Sequence, residues 1–172
     1  MVDKSKIEKE IQNYFKEVSS IYSQGDYTEG TYRTPFENFI KGLNPDYNLT
    51  QEPKRVTGLG APDFKAFCIN RKVGFIETKD LNENLDRTLE TDQLKKYTGS
   101  IDNLILTNYL QFILIRKGRK VYDCNLFMLS DLYKRSLSIS KEKIETFASL
   151  INEFFEYKLP IITLAEELAK EL

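Results

Sequence analysis

The sequence contains no histidine, no tryptophan and only two cysteines, Cys68 and Cys124, in 172 residues. Each absence closes a class of chemistry. Without imidazole there is no Ser-His-Asp arrangement, and two cysteines set inside apolar, strand-like runs cannot build a zinc site of Cys/His spacing. Any metal must be held by oxygen. There is no run of eighteen apolar residues, and the N-terminus MVDKSKIEKEIQNYF alternates charged with apolar residues from the start. No membrane span or secretory leader is read from it, and a cytoplasmic protein is expected. An excess of one charge is missing too, since 25 Lys and Arg face 26 Asp and Glu, for a net charge of −1. Such a balance is not the footprint of a chain that grips DNA tightly by itself, although an acidic pocket can act on DNA with affinity borrowed from a neighbouring domain. What is present, 41% hydrophobic and 30% charged residues, fits one globular domain with its own core.

Periodicity orders the chain. Ile7, Ile11, Tyr14, Phe15, Val18, Ile21 and Tyr22 recur at helical spacing from Lys4 to Tyr22, and Gly25-Asp26 ends that helix. Thr31 or Thr34 can cap a second, short helix with Pro35 at its first position and Gly42 at its close. Glu37 lies on it, three residues after Thr34, where it can complete a capping box. An edge strand is read from Tyr47 to Glu52. Asp63 to Ile69 and Val73 to Lys79 follow as strands joined by Asn70-Arg71-Lys72, a connection of hairpin length. Leu85 to Tyr97 reads as a helix stopped by Gly99. Buried strands are predicted over Leu104 to Thr107 and Tyr109 to Ile115, then Val121 to Met128 after a basic turn. Lys141 to Tyr157 is a second long helix ended by Pro160, and Thr163 to Leu172 repeats leucines at helical spacing without a cap. The order is that of a mixed α/β (α+β) fold.

The antiparallel hairpin carries the chemistry. It brings Asp63, at the start of one arm, beside Glu77 and Lys79, at the end of the other, and period two puts Glu77 and Lys79 on one face with Thr78 on the opposite one. Mg²⁺ prefers one or two carboxylates, a carbonyl and several waters, with room left for phosphate oxygens. Asp63 and Glu77 supply the carboxylates, the Thr78 carbonyl is placed to be a third ligand, and Mn²⁺ can substitute. Lys79 would then stand near an attacking water and a scissile phosphate, to orient that water or, with a lowered pKa, to accept its proton. Taken alone, a Glu-x-Lys triplet at a strand end is commonly a solvated charge pair, and Pro-Asp is equally weak. Their order on two arms of one hairpin, with a helical glutamate before and a helix after, favours the catalytic reading. Lys54, Arg55 and Lys65, with Arg71 and Lys72, are the candidates for DNA-backbone contacts, which position a substrate without reading its sequence. Arg116, Lys117, Arg119 and Lys120 read instead as a solvated turn.

Pro62-Asp63 and Glu77-Thr78-Lys79 resemble the signature of the PD-(D/E)xK nuclease superfamily. Gln93-Leu94-Lys95-Lys96-Tyr97 looks like the Q-x-x-x-Y motif of RecB-type nucleases, against the plain alternative of an i,i+4 pair in which Tyr97 packs and Gln93 is exposed. Glu37, within YRTPFE, is similar to the first-helix acid that helps bind metal in several branches. The phrases YRTPFENF, GAPDF, GFIETKDL, QLKKY and LILTNYLQF, spanning residues 32 to 113, resemble more closely the N-terminal nuclease domains of large restriction-modification polypeptides fused to an adenine methyltransferase. The resemblance implies a restriction-endonuclease-like α-β-β-β-α-β core, with a nuclease domain over residues 1–160 and the start of a linker helix over residues 161–172. It further implies Mg²⁺-dependent endonucleolytic cleavage of double-stranded DNA leaving 5′-phosphates. Asp63, Glu77, Lys79, Gln93 and Tyr97 would be catalytic, with Glu37, Asp63, Glu77 and Thr78 serving the metal. Methyltransferase or specificity domains would choose the target, and two copies would meet transiently to cut both strands. The sequence departs from that group in carrying no methyltransferase or helicase motifs. Two competing classes are a catalytically silent DNA-binding or assembly module of the same fold and a dimeric junction-type resolvase; the acidic balance disfavours the second.

Overall fold

The computed structural model describes residues 3–51, 61–160 and 169. Helix α1 spans Lys4–Gln24, with the Asp3 carboxylate accepting from the Ser5 amide at its start and Gly25, at φ 76°, closing it in the left-handed conformation. The chain turns through a 3₁₀ segment, Glu29–Tyr32, directly into α2, Arg33–Leu43. Thr34 therefore caps nothing. The preceding turn is closed by the Thr28 amide donating to Thr31 Oγ1 at 2.9 Å, and Tyr32 occupies the cap position of α2 without a side-chain bond. The capping box written in the sequence by Thr34 and Glu37 does not form. Gly42 lies inside α2 rather than ending it. A Cβ there would meet the movable carboxylate end of Glu10 of α1, so α1 and α2 approach closely at this position.

Six strands form one mixed sheet in the order β1 (Tyr47–Gln51), β2 (Phe64–Cys68), β3 (Arg71–Thr78), β4 (Asn103–Thr107), β5 (Gln111–Arg116) and β6 (Arg119–Asn125). Only β3 and β4 run parallel. The segment joining that parallel pair carries α3 (Leu85–Leu89) and α4 (Asp92–Ser100), and α5 (Leu129–Lys134) and α6 (Lys141–Glu156) follow the sheet. The architecture, a six-stranded mixed sheet flanked by helices, is compatible with a restriction-endonuclease-like α+β fold.

Several boundaries differ from the expected ones for local reasons. The β2–β3 hairpin turns in two residues, because Cys68 pairs with Arg71 and draws Arg71 and Lys72 into the strand. The predicted single helix over 85–97 is two. Thr91 interrupts it by turning its hydroxyl back to the Thr88 carbonyl at 2.7 Å and then capping α4 through the Leu94 amide, an instance of a side chain competing with the helix for backbone groups. Tyr109 leaves the expected strand at φ 70°, in a turn held by Asn108 Oδ1, which accepts from the Gln111 amide at 2.8 Å. β6 stops at Asn125, and α5 begins four residues later.

Alternation along the strands divides the core in two. Phe64, Ala66, Ile76, Ile105, Phe112 and Leu114 face α1, α2, α5 and α6, and the rings of Tyr14 and Phe39 stack there at 4.3 Å. Phe75, Leu104, Leu106, Ile113 and Ile115 face Leu85, Leu94, Tyr97 and Ile101 of the α3–α4 segment. The molecule is thus three layers, helices on both faces of one sheet, and each fully buried aromatic or aliphatic side chain contributes on the order of 1.5–3 kcal/mol. β3 is central to it, and it delivers consecutive residues to opposite layers. Among the described residues no helix is long and apolar enough to cross a membrane.

Candidate functional site at the end of β3

Glu77 follows Phe75 by two and so projects into the α4 layer, where it is 4% exposed. Its Oε1 accepts from Lys79 Nζ at 2.7 Å and from Gln93 Nε2 at 3.3 Å. Gln93 Nε2 also lies 3.3 Å from the Tyr97 hydroxyl. The i,i+4 contact of Gln93 with Tyr97 is present, Tyr97 packs in the core, and Gln93 also leans on Glu77. Thr91's interruption is what achieves this, since it restarts the helix two residues before Gln93. Glu77 Oε2 is buried and has no hydrogen-bond partner. Burial raises the Glu77 pKa above the ordinary glutamate value, and the Lys79 ammonium only partly opposes the rise. For Lys79, burial favours loss of the proton, but Glu77, with Glu29 and Asp63, more than reverses that and holds its pKa above the ordinary value. The Lys79 amide is fixed to β4 through the Thr107 carbonyl at 2.9 Å.

Thr78 points to the other layer and organises a second group. Asp63 Oδ2 accepts from both the Thr78 amide and the Thr78 hydroxyl at 2.8 Å. Asp63 Oδ1 accepts from Arg33 Nη2 of α2. Glu29, on the 3₁₀ turn, approaches the same hydroxyl at 3.2 Å and Arg33 Nη2 at 3.9 Å. Burial, and next the Asp63 carboxylate, raise the Glu29 pKa. Its backbone carbonyl accepts from the Tyr109 hydroxyl at 2.9 Å, so the displaced turn at Tyr109 pins the 3₁₀ segment against the site.

Asp63, Glu77, Thr78, Lys79, Gln93 and Tyr97 therefore meet at one strand end. Glu37 does not join them, and its carboxylate instead accepts from Gln51 Nε2 of β1. Lys65 is half-buried on β2, between Thr50 and Phe75 in register. Lys54, Arg55 and the predicted linker helix, Ala169 apart, lie outside the described residues. Of the basic turn, Arg116 and Lys120 are engaged within the fold by Glu153 and by Asp86 and Asp123. Glu29 and Arg33 were not among the residues the sequence singled out. Their i,i+4 carboxylate–guanidinium spacing was the available signal, but Glu29 precedes the helix and carries no periodicity.

Among the described residues, no group of three or more Asp, Glu, Cys or His side chains is gathered to hold a metal ion. Mg²⁺ needs fewer, taking one or two carboxylates and completing its shell with water. Two acids flanking Thr78, no nitrogen or sulfur donor, and a buried carboxylate oxygen without a proton donor fit a small hard divalent ion.

No protein-family model matches this sequence, and no curated protein matches it. The fold has a solved counterpart. A cryo-EM structure of a DrdV–DNA complex superimposes with a TM-score of 0.66 at 19% identity, over 92% of this chain and 14% of that one. The likeness is one of fold, and this chain spans about one-seventh of the length of that protein.

Proposed function

We propose that this chain is a Mg²⁺-dependent endonuclease domain acting on double-stranded DNA, the cutting module of a restriction-modification enzyme. One observation carries the reading: acid, lysine and glutamine from separate elements converge on the last residues of β3. An isolated Glu-x-Lys pair gives no reason for Gln93, sixteen residues on, to reach Glu77, or for Asp63 to be tied to Thr78. DNA as the partner is supported by the shared fold of a protein solved in complex with it.

Asp63, Glu77 and the Thr78 carbonyl would hold the ion, with Glu29 as the helix-side acid in place of Glu37. The bound ion supplies Lewis acidity toward the scissile phosphate and the leaving 3′ oxygen. Lys79, an ammonium ion paired to Glu77, orients the attacking water and offsets the negative charge that builds on the phosphate. It has no lone pair with which to take a proton in that state, which favours the orienting role over the basic one. Gln93 fixes the Glu77 carboxylate, and Tyr97 fixes Gln93. Cutting both strands would bring two copies together on the DNA, with methyltransferase and specificity domains selecting the target.

The test is nicking of supercoiled plasmid in Mg²⁺. Lys79→Ala and Asp63→Asn should each slow it by about 10²-fold or more, the scale of losing one preorganised charge from an active site. Asparagine is preferred to alanine at 63 because it keeps an acceptor for the Thr78 amide. Undiminished cleavage by both variants would overturn the assignment. A second reading, a catalytically silent DNA-binding or assembly module, is favoured by one observation: Asp63 and Glu77 each already face a cationic side chain. Calorimetry separates the two, since Mg²⁺ or Mn²⁺ binding at millimolar concentration that vanishes in Asp63→Asn supports the enzyme, and no binding supports the silent module.

A further inference from the structure

We infer that the Arg33 guanidinium stands in for a second cation, so that this site takes one divalent ion per chain. The inference rests on the nuclease reading and concerns how many ions its carboxylates accept. The two sides of the strand end differ in what they still need. On the Thr78 side, Asp63 spends one oxygen on the Thr78 amide and hydroxyl and the other on Arg33, and Arg33 also stands 3.9 Å from Glu29. The guanidinium thus lies within ion-pair distance of both acids, the position from which a cation would bridge them. On the α4 side, Lys79 takes only Glu77 Oε1, and Oε2 is the buried acceptor left over.

Charge leads to the same count. Among the five side chains that interlock at the strand end, Glu29, Asp63 and Glu77 oppose Arg33 and Lys79 for a formal charge of −1, with the exposed Asp80 outside the group. One divalent ion makes the group +1, which a single phosphodiester neutralises. A second ion would leave two uncompensated positive charges among side chains only 5% to 32% exposed, where like charges repel far more strongly than in water. Arg33 cannot step aside by losing its proton, because a guanidinium stays charged at any physiological pH. It cannot easily swing away either, being held at the first turn of α2 with its side chain 19% exposed. Arg33 is accordingly a positioning residue: it fills the place between Asp63 and Glu29 that a second ion would take, and leaves Asp63 its remaining lone pairs for the ion shared with Glu77.

The experiment counts Mn²⁺ bound to the chain without DNA, by calorimetry and by loss of the free Mn²⁺ signal in electron paramagnetic resonance. The wild-type protein should bind one Mn²⁺, Arg33→Lys should bind one, and Arg33→Gln should bind a second within about tenfold of the affinity of the first. Two ions in the wild type, or one ion with unchanged affinity in a folded Arg33→Gln, would overturn the inference and leave the nuclease reading standing. No Mn²⁺ in the wild type would overturn both. Should Arg33→Gln not fold, the wild-type count decides, together with whether Arg33→Lys matches it.

Discussion

Glu77 must be ionised to pair with Lys79, in a place where only 4% of its surface meets water. That conflict makes its titration visible in stability. The unfolded chain holds this group near the ordinary value of 4.5, and the folded chain holds it higher. The folded state therefore binds the proton more tightly, so the stability from this group is complete below pH 4.5 and is lost as pH rises through the folded pKa. Glutamine resembles the protonated form at every pH. The melting temperature of Glu77→Gln relative to wild type should accordingly be more favourable at about pH 7.5 than at about pH 4, by the linkage of proton binding to folding. Calorimetric melts at the two pH values check this, and a difference that stays flat or falls as pH rises would refute the assigned environment. At this scale the sequence was informative where position on the hairpin decided the neighbours. That Asp63, Glu77 and Lys79 meet was legible because antiparallel pairing of the two arms brings the start of β2 beside the end of β3. Glu29 was not, since its role depends on a turn closed by Thr28 and Thr31, and Thr34 with Glu37 spelled a more familiar cap that the chain does not use.

Among the elements, β3 is the one whose sequence is most constrained. Ala66 pairs with Gly74 and Phe67 with Lys72, leaving Val73 as an extra residue in a bulge. Asn103 fills the irregularity, donating from Nδ2 to the Val73 carbonyl and to the Phe154 carbonyl of α6, each at 2.9 Å. A Cβ on Gly74 would lie 2.2 Å from the Asn103 carbonyl oxygen, a backbone atom with nowhere to go. Gly74→Ala should therefore cost about 3 kcal/mol or more, at the upper end for overpacking, and loosen the β3–β4 pairing that carries Glu77. Denaturant unfolding measures the loss, and a variant as stable as wild type would mean the strands can separate to admit a methyl group. The hairpin itself was legible from alternation, but its register was not, because one inserted residue shifts pairing without changing composition. The split between α3 and α4 was hidden for a different reason. Leu85, Leu89, Leu94 and Tyr97 share one apolar cluster on both sides of the break, so the periodic signal runs straight through it.

For the whole molecule, the sheet separates two cores of unequal size, and the larger holds Cys124 with its thiol 3.8 Å from the Lys143 carbonyl of α6. Burial pushes its pKa up to about 11, which leaves almost no thiolate at neutral pH to react. Cys68, on β2, is partly accessible. A thiol-alkylating reagent should modify one cysteine per native chain readily and Cys124 only as fast as the molecule opens globally, with both reacting at once in denaturant. Mass spectrometry of the labelled protein distinguishes the two, and rapid native labelling of Cys124 would show that α6 detaches from the sheet on its own. The order of helices and strands was readable from apolar periodicity at this scale because the layered core is what that periodicity encodes. The assignment of each helix to a face was not, since several amphipathic helices can exchange faces without altering the pattern of any one.

The pair of hydrogen bonds from Thr78 to Asp63 has a consequence for descent. Asp63 joins the entrance of β2 to the exit of β3 through the Thr78 amide and hydroxyl, whereas Glu77 and Lys79 chiefly compensate each other. A lineage released from selection for cutting could discard the second pair together, while the first would be retained for the sake of the strand ends. On the proposed reading, an aspartate surviving alone in a relative would then report architecture, and the lysine would be the residue by which to sort cutting copies from silent ones.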